Sequence, residues 1–277
     1  LTVDWDNFDN CAVTHVRHDD GTWETHQNKY AAALKPIALG PDVSNAELVS
    51  ADLQHAFISL VGAVAYLLIT RGDVAVYVVA LQRVASKPRG IHLKRLNAVV
   101  RYVQRNPMSL WFRHVPKPVI LVITDSAYKR EEESAHALRG IAIVVADGCE
   151  QGVHTTPVNA LELCSGSQRH VCRATFSAET FAATDGVDML LIVLPAVEEL
   201  LHGSLSLDEA RTLTANGRPR LDSWLVLDAR SVFEAVTAQH IKTPAEKGLL
   251  LQLLWLRERL DLGQLGGLAW VDTRDMV

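Results

Sequence analysis

Three short acidic segments hold residues that could do chemistry together: Ile120–Ser126, Phe176–Phe181 and Leu225–Ser231. The first and third place Asp125 and Asp228 where an apolar strand runs out, and the second places Glu179 in what reads as the opening turn of a helix. Carboxylate oxygens are hard donors, suited to Mg2+ and, as the alternative ion, Mn2+. Two such ions about 3.5–4 Å apart can activate a water and stabilise the leaving oxygen of a phosphodiester. Asp125, Glu179 and Asp228 are therefore candidates both as metal ligands and as catalytic residues. Taken singly, each reads as a helix cap, a turn acid or a dipole partner. The three in this order and setting favour metal chemistry.

These side chains need rigid elements that end at one sheet edge. Val119–Thr124 is a continuous apolar strand and Gly140–Val145 another, and residues 147–171 suit a hairpin or a loop-rich strand pair. Ala178–Leu201 reads as a long helix with a kink near Pro195. Trp224–Leu227 is a strand, Ser231–Gln239 and Ala245–Leu260 are helices, and Leu268–Val271 is a last strand. Such an order describes an α/β fold, a mixed sheet flanked by helices. If the strands ending at Asp125 and Asp228 are neighbours and parallel, they need a crossover, which the long helix supplies. Ser177 stands where it would cap that helix, and Glu179 would gain from the helix dipole.

The first part of the chain differs in style. Asp20-Gly21 is a turn between strands Ala12–Val16 and Thr22–His26, followed by a helix over Gln27–Leu34 and a connection over 36–50. From Leu53 to Arg105 the pattern is helical in three pieces, divided at Gly72 and at Lys87–Gly90. In the third piece Leu96, Val99, Val100 and Val103 share one face, and Lys94, Arg101 and Arg105 fall opposite. Val115–Pro118 is the expected boundary, giving domains 1–117 and 118–277.

Between Asp73 and Asp125 there is no acidic residue, yet nine lysines and arginines. A solvated helix face usually mixes signs. This excess suits contact with a phosphate backbone, and Arg83, Lys87, Arg89, Lys94, Arg95, Arg101 and Arg105 are the candidates. The alternative is a solvated face balanced by acids such as Glu131, Glu132 and Glu133. Trp111 and Phe112 are expected in the core rather than stacked on a base.

Composition bounds the rest. An apolar fraction of 48% excludes a disordered chain, and a net charge of −5 gives no global pull toward nucleic acid or an anionic membrane. Cys11, Cys149, Cys164 and Cys172 form no C-x-x-C pair, which points to a reduced, intracellular setting. The longest uncharged run, Ala56–Thr70, is short for a spanning helix, so no membrane association is expected. His15 and His18, three apart on a strand, would point to opposite faces, which argues against a metal site there. His114, His170 and His240 have no partner at ligand spacing.

The chain resembles the C-terminal part of the Pol polyprotein of copia-type LTR retrotransposons over nearly its full length. The residues that carry the resemblance to the end of the reverse transcriptase are Leu60–Leu67, Thr70–Val74, Leu81–Arg83, Ser86–Pro88, His92 and Val99–Val103. Thr124–Ser126, Ser167–Arg169, Ser177–Phe181 and Val226–Ser231 resemble the motifs of the ribonuclease H that follows it. The resemblance implies a ribonuclease H-like domain after a mainly helical, thumb- or connection-like segment. It also implies Mg2+-dependent hydrolysis of the RNA strand of RNA–DNA hybrids, and the upstream palm and fingers of the parent polyprotein as partners. The chain is expected to be a piece of that polyprotein. The paired aspartates of the polymerase would lie before Leu1, and Asp19-Asp20 at its turn is not that motif, so no polymerase activity is expected. A fourth carboxylate of the family's metal site would fall just after Val277, with Asp275 a weaker substitute. The alternatives are a non-catalytic retroelement remnant that folds and binds nucleic acid, and an unrelated α/β protein whose three acids are structural. Convergence of the three carboxylates would remove the last of these.

Overall fold

The computed structural model describes residues 5–41, 43–127, 137–148, 157–215 and 219–275. Glu131, Glu132, Glu133 and Cys149 lie outside the described residues. The chain divides into two compact units, Leu1–His114 with Leu163–Ser165, and Val115–Glu162 with Gly166–Val277.

In the first unit β1 (Asn7–Asn10), β2 (Val13–Arg17), β3 (Trp23–His26) and β4 (Leu110–Phe112) form a four-stranded antiparallel sheet in chain order. The β2–β3 hairpin closes where the sequence places it: Gly21 sits at φ +82° and Asp20 Oδ1 accepts from the Thr22 N–H at 2.9 Å. The sequence pattern missed β1 and β4, which are short and held only by pairing with their neighbours. Trp111, expected in the core, is instead an exposed residue of β4 stacked on His18, with ring centroids 4.9 Å apart. Helices α1 (Asn28–Ala33), α2 (Ala51–Tyr66), α3 (Ala75–Arg83) and α4 (Gly90–Arg105) surround a core that includes Phe57, Val64, Leu67, Val78, Leu93, Leu96 and Val100. The amphipathic reading of α4 holds: Leu96, Val99, Val100 and Val103 are buried, and Lys94, Arg101 and Arg105 are exposed.

The second unit is an α/β layer structure. Strands β5 (Pro118–Ala127), β6 (Leu138–Asp147), β7 (Asn159–Ser167), β8 (Ser223–Leu227) and β9 (Gly267–Trp270) form a mixed sheet in the order β7-β6-β5-β8-β9. β6 runs antiparallel to β5, while β5, β8 and β9 are parallel. Between β7 and β8 the chain passes through α5 (Thr175–His202) and the short α6 (Leu207–Ala215), which the sequence reading missed. α7 (Arg230–Thr237) and α8 (Leu249–Asp261) lie between β8 and β9. Helices α5 and α7 pack on strands, and α8 packs against both. The mixed sheet flanked by helices expected from the sequence is present.

Alternation along β5 sorts the residues by face. Ile120, Val122 and Thr124 are buried on the side of α5. Leu121 packs with Val144 and Ala146 on the other side, with Val119, Ile123 and Val226 against them. Contact between α5 and β5 is close because α5 presents small residues, Ala182, Ala183 and Gly186, all buried. A Cβ on Gly186 would lie 2.5 Å from Thr124 Cγ2 and 3.0 Å from Val122 Cγ1. Two segments, Ala51–Ile69 and Thr175–His202, are long and apolar enough to cross a membrane by length and composition. Half of the second is buried, as suits a helix laid on a sheet.

Candidate metal centre

Asp125, Glu179 and Asp228 come together. Each offers one carboxylate oxygen, and these oxygens all lie within 4.8 Å of one another. Pairing between β5 and β8 ends at Thr124 opposite Leu227, so Asp125 and Asp228 follow directly on two neighbouring parallel strands. Glu179 arrives from α5. It stands two turns before Gly186, on the stripe that faces the sheet, so the close helix–strand approach sets its distance from Asp125.

Two local details differ from the sequence reading. Asp125 does not lie beyond its strand, because β5 continues to Ala127 through its pairing with Leu138–Gly140 of β6. Glu179 is not in the first turn, because α5 begins at Thr175, three residues earlier than expected. Ser177 is the third helical residue rather than the cap. Its Oγ accepts from the Ala174 N–H at 3.2 Å and donates to the Ala174 carbonyl at 2.8 Å, so it serves the helix start from inside the first turn.

Surroundings differ among the three carboxylates. Asp125 is exposed, Asp228 half-buried and Glu179 buried. The Ser126 hydroxyl donates to Glu179 Oε1 at 2.7 Å. The Thr273 hydroxyl donates to Asp228 Oδ2 at 2.7 Å, and the Trp270 indole N–H donates to the Asp228 carbonyl at 2.8 Å. Although Asp125 is exposed as a residue, partial desolvation of its carboxyl against the neighbouring elements, and then the nearby Asp228, pushes that carboxyl above its ordinary range. Burial drives Glu179 up to about 7 against the opposing hydrogen bond from Ser126, with further upward pushes from Asp125 and Asp228. Three carboxylates this close repel one another in their charged forms. A divalent cation would remove that repulsion and compete with the proton on Glu179. The all-oxygen donor set fits Mg2+ or Mn2+. Asp275, exposed in a short turn at Thr273–Asp275, is not among the clustered residues.

Neighbouring residues hold the elements in place. Gln168, buried at the end of β7, donates through Nε2 to the Ala178 carbonyl at 2.5 Å, and its own N–H donates to the Ala137 carbonyl at 2.8 Å. Arg139 of β6, opposite Ser126 in the register, forms an ion pair with Asp185 of α5. Sequence reasoning singled out neither Arg139 nor Thr273. Ser126 lay inside the quoted Thr-Asp-Ser run, and strand alternation was the signal that it would face the helix. His170 stacks on Phe181 with ring centroids 4.8 Å apart, and His114 and His240 are exposed. None of the three belongs to the cluster.

The basic candidates lie in the first unit. Lys87, Arg89, Lys94, Arg95, Arg101 and Arg105 are exposed and Arg83 is partly so. Lys94, Arg101 and Arg105 fall on one stripe of α4. The Lys94 ammonium also donates to Asn45 Oδ1 at 2.7 Å.

No protein-family model matches this chain, and no curated protein does. Among solved structures it is similar to ribonuclease H1 from the halophilic archaeon Halobacterium salinarum NRC-1, with 12% identity over 57% of this chain and 88% of that one, at a TM-score of 0.30. It is similar also to LC11-RNase H1, isolated from compost by a metagenomic approach, with 14% identity over 57% of this chain and 87% of that one, at a TM-score of 0.34. The same LC11 enzyme in complex with an RNA/DNA hybrid gives 13% identity, coverage of 57% and 88%, and a TM-score of 0.33. Scores of this size leave the reading of the site to its own geometry.

Proposed function

We propose that this chain is a ribonuclease H-like nuclease of retroelement origin that hydrolyses the RNA strand of RNA–DNA hybrids. The observation that carries the reading is the convergence of Asp125, Glu179 and Asp228 into one oxygen donor set. Its copia-type origin rests on the resemblance of the sequence motifs. Asp125, Glu179 and Asp228 would hold Mg2+ or Mn2+ and act as the catalytic carboxylates. A divalent ion bound there supplies a Lewis acid for the phosphodiester and a water of lowered pKa.

The chain's own residues do the rest. Asp125 and Asp228 present oxygens from neighbouring positions just past the β5–β8 ladder, a rigid base for ligands that must be held to a fraction of an ångström. Glu179 would hold the ion in its ionised form, with the Ser126 hydroxyl on its other oxygen. Thr273 fixes one oxygen of Asp228 through its hydroxyl. Arg83, Lys87, Arg89, Lys94, Arg95, Arg101 and Arg105 would give the first unit a phosphate-binding face. A-form-like duplexes are recognised by shape and 2′-hydroxyl contacts, so little sequence preference is expected. The upstream palm and fingers of the parent polyprotein remain the proposed partner, and the proposed setting is intracellular, with no membrane association.

A second reading, a non-catalytic remnant that binds nucleic acid, draws on the same exposed lysines and arginines of the first unit and needs no metal. Incubating the chain with labelled hybrid, duplex DNA and duplex RNA in Mg2+ separates the two readings. The nuclease cuts only the RNA of the hybrid; the remnant binds without cutting.

A further inference from the structure

We infer that Ser126 is a positioning residue for the metal centre: its hydroxyl holds one oxygen of Glu179 so that the other is turned toward the ion shared with Asp125 and Asp228. This inference rests on the reading of the three carboxylates as a metal centre. Asp125 and Ser126 are consecutive on β5, so their side chains leave opposite faces of the strand. The same dipeptide thus supplies a ligand on one side and a clamp for the second ligand on the other. The clamp is nearly dry: Ser126 is 9% exposed and Glu179 is 6% exposed. A hydrogen bond there meets little competition from water. At 2.7 Å it is a well-formed hydrogen bond, and it is charge-assisted when Glu179 is ionised. A carboxylate has two oxygens and room for several partners, so one hydroxyl on Oε1 leaves Oε2 able to bind an ion. Without the clamp, Glu179 keeps the rotamer freedom of a long side chain, which must then be lost on binding.

The test is Mn2+ binding to the full chain, followed by electron paramagnetic resonance, beside thermal unfolding in chelator. Partners that orient metal ligands typically change affinity about 10- to 100-fold when removed. The expected result is that S126A binds Mn2+ about tenfold more weakly, that S126T restores binding, and that D228N abolishes it. If S126A does not fold, S126G is read in the same way. An S126A or S126G chain that binds Mn2+ as tightly as the parent overturns the role of Ser126 and leaves the metal centre standing. A parent chain that does not take up Mn2+, or does so equally with D228N, overturns the metal centre and this inference with it.

Discussion

Asp125 and Asp228 occupy the positions immediately after Thr124 and Leu227, the last paired residues of two adjacent parallel strands. Their carboxylates converge because the backbone ladder fixes their separation, and not because either side chain is drawn to the other. Like charges held in this way store repulsion that a cation relieves. In chelator, D125N or D228N should therefore be at least as stable as the parent, with a gain below about 1 kcal/mol because Asp125 and Asp228 are both reached by solvent. With Mn2+ present the order should reverse, since a bound ion adds to stability by mass action. Melting curves with and without the ion read both signs.

Glu179 makes stability depend on pH. Its carboxyl is raised from about 4.5 when free to about 7 in the fold. Between those values the folded chain binds more protons than the unfolded chain, so its contribution is full below about 4.5 and is lost as pH rises through 7. The expected loss is on the order of 3 kcal/mol at most. Denaturant unfolding in chelator at pH 5 and pH 7.5 measures it. E179Q should flatten the difference. With Mn2+ added near pH 6.5, calorimetry in buffers of different ionisation enthalpy should register release of a proton from the parent chain and not from E179Q.

Gly186 sets the approach of α5 to β5, and so the reach of Glu179. A valine there would press on Thr124 and Val122, costing about 1–3 kcal/mol through overpacking. G186V should therefore melt lower and bind Mn2+ more weakly, although residue 186 offers no ligand. Unchanged Mn2+ affinity in a destabilised G186V chain would mean that the helix position does not govern the site.

The basic stripe of α4 is tested by replacing Lys94, Arg101 and Arg105 together with alanine. All three are exposed, so the fold should change by no more than about 0.5 kcal/mol per residue. Hybrid binding should weaken, and the dependence of log affinity on log salt should become shallower by up to about three, near one per lost phosphate contact. An unchanged salt slope would return the stripe to a solvated helix face.

Much of the sheet was legible because its central strands are continuous apolar runs. Val119–Thr124 and Trp224–Leu227 stand out by composition alone, and their termination marked Asp125 and Asp228. Less legible was whatever pairing decides. β5 extends past its apolar run to Ala127 because β6 offers partners there, and no local pattern announces that. β1 and β4 are short strands with exposed or half-buried residues, held by their neighbours rather than by a hydrophobic period. The start of α5 was misplaced because Ser177 acts from the third helical position, a role that resembles a cap in sequence. Ser126 was visible as a residue but not as a contact, since its partner Glu179 lies 53 residues away.

The most direct measurement is cleavage of a labelled RNA–DNA hybrid in Mg2+ or Mn2+ by the parent chain and by its D228N variant. A centre built on Asp125, Glu179 and Asp228 predicts that the parent cuts the RNA strand and that D228N loses that cutting. No cutting by the parent, or equal cutting by both, would contradict it.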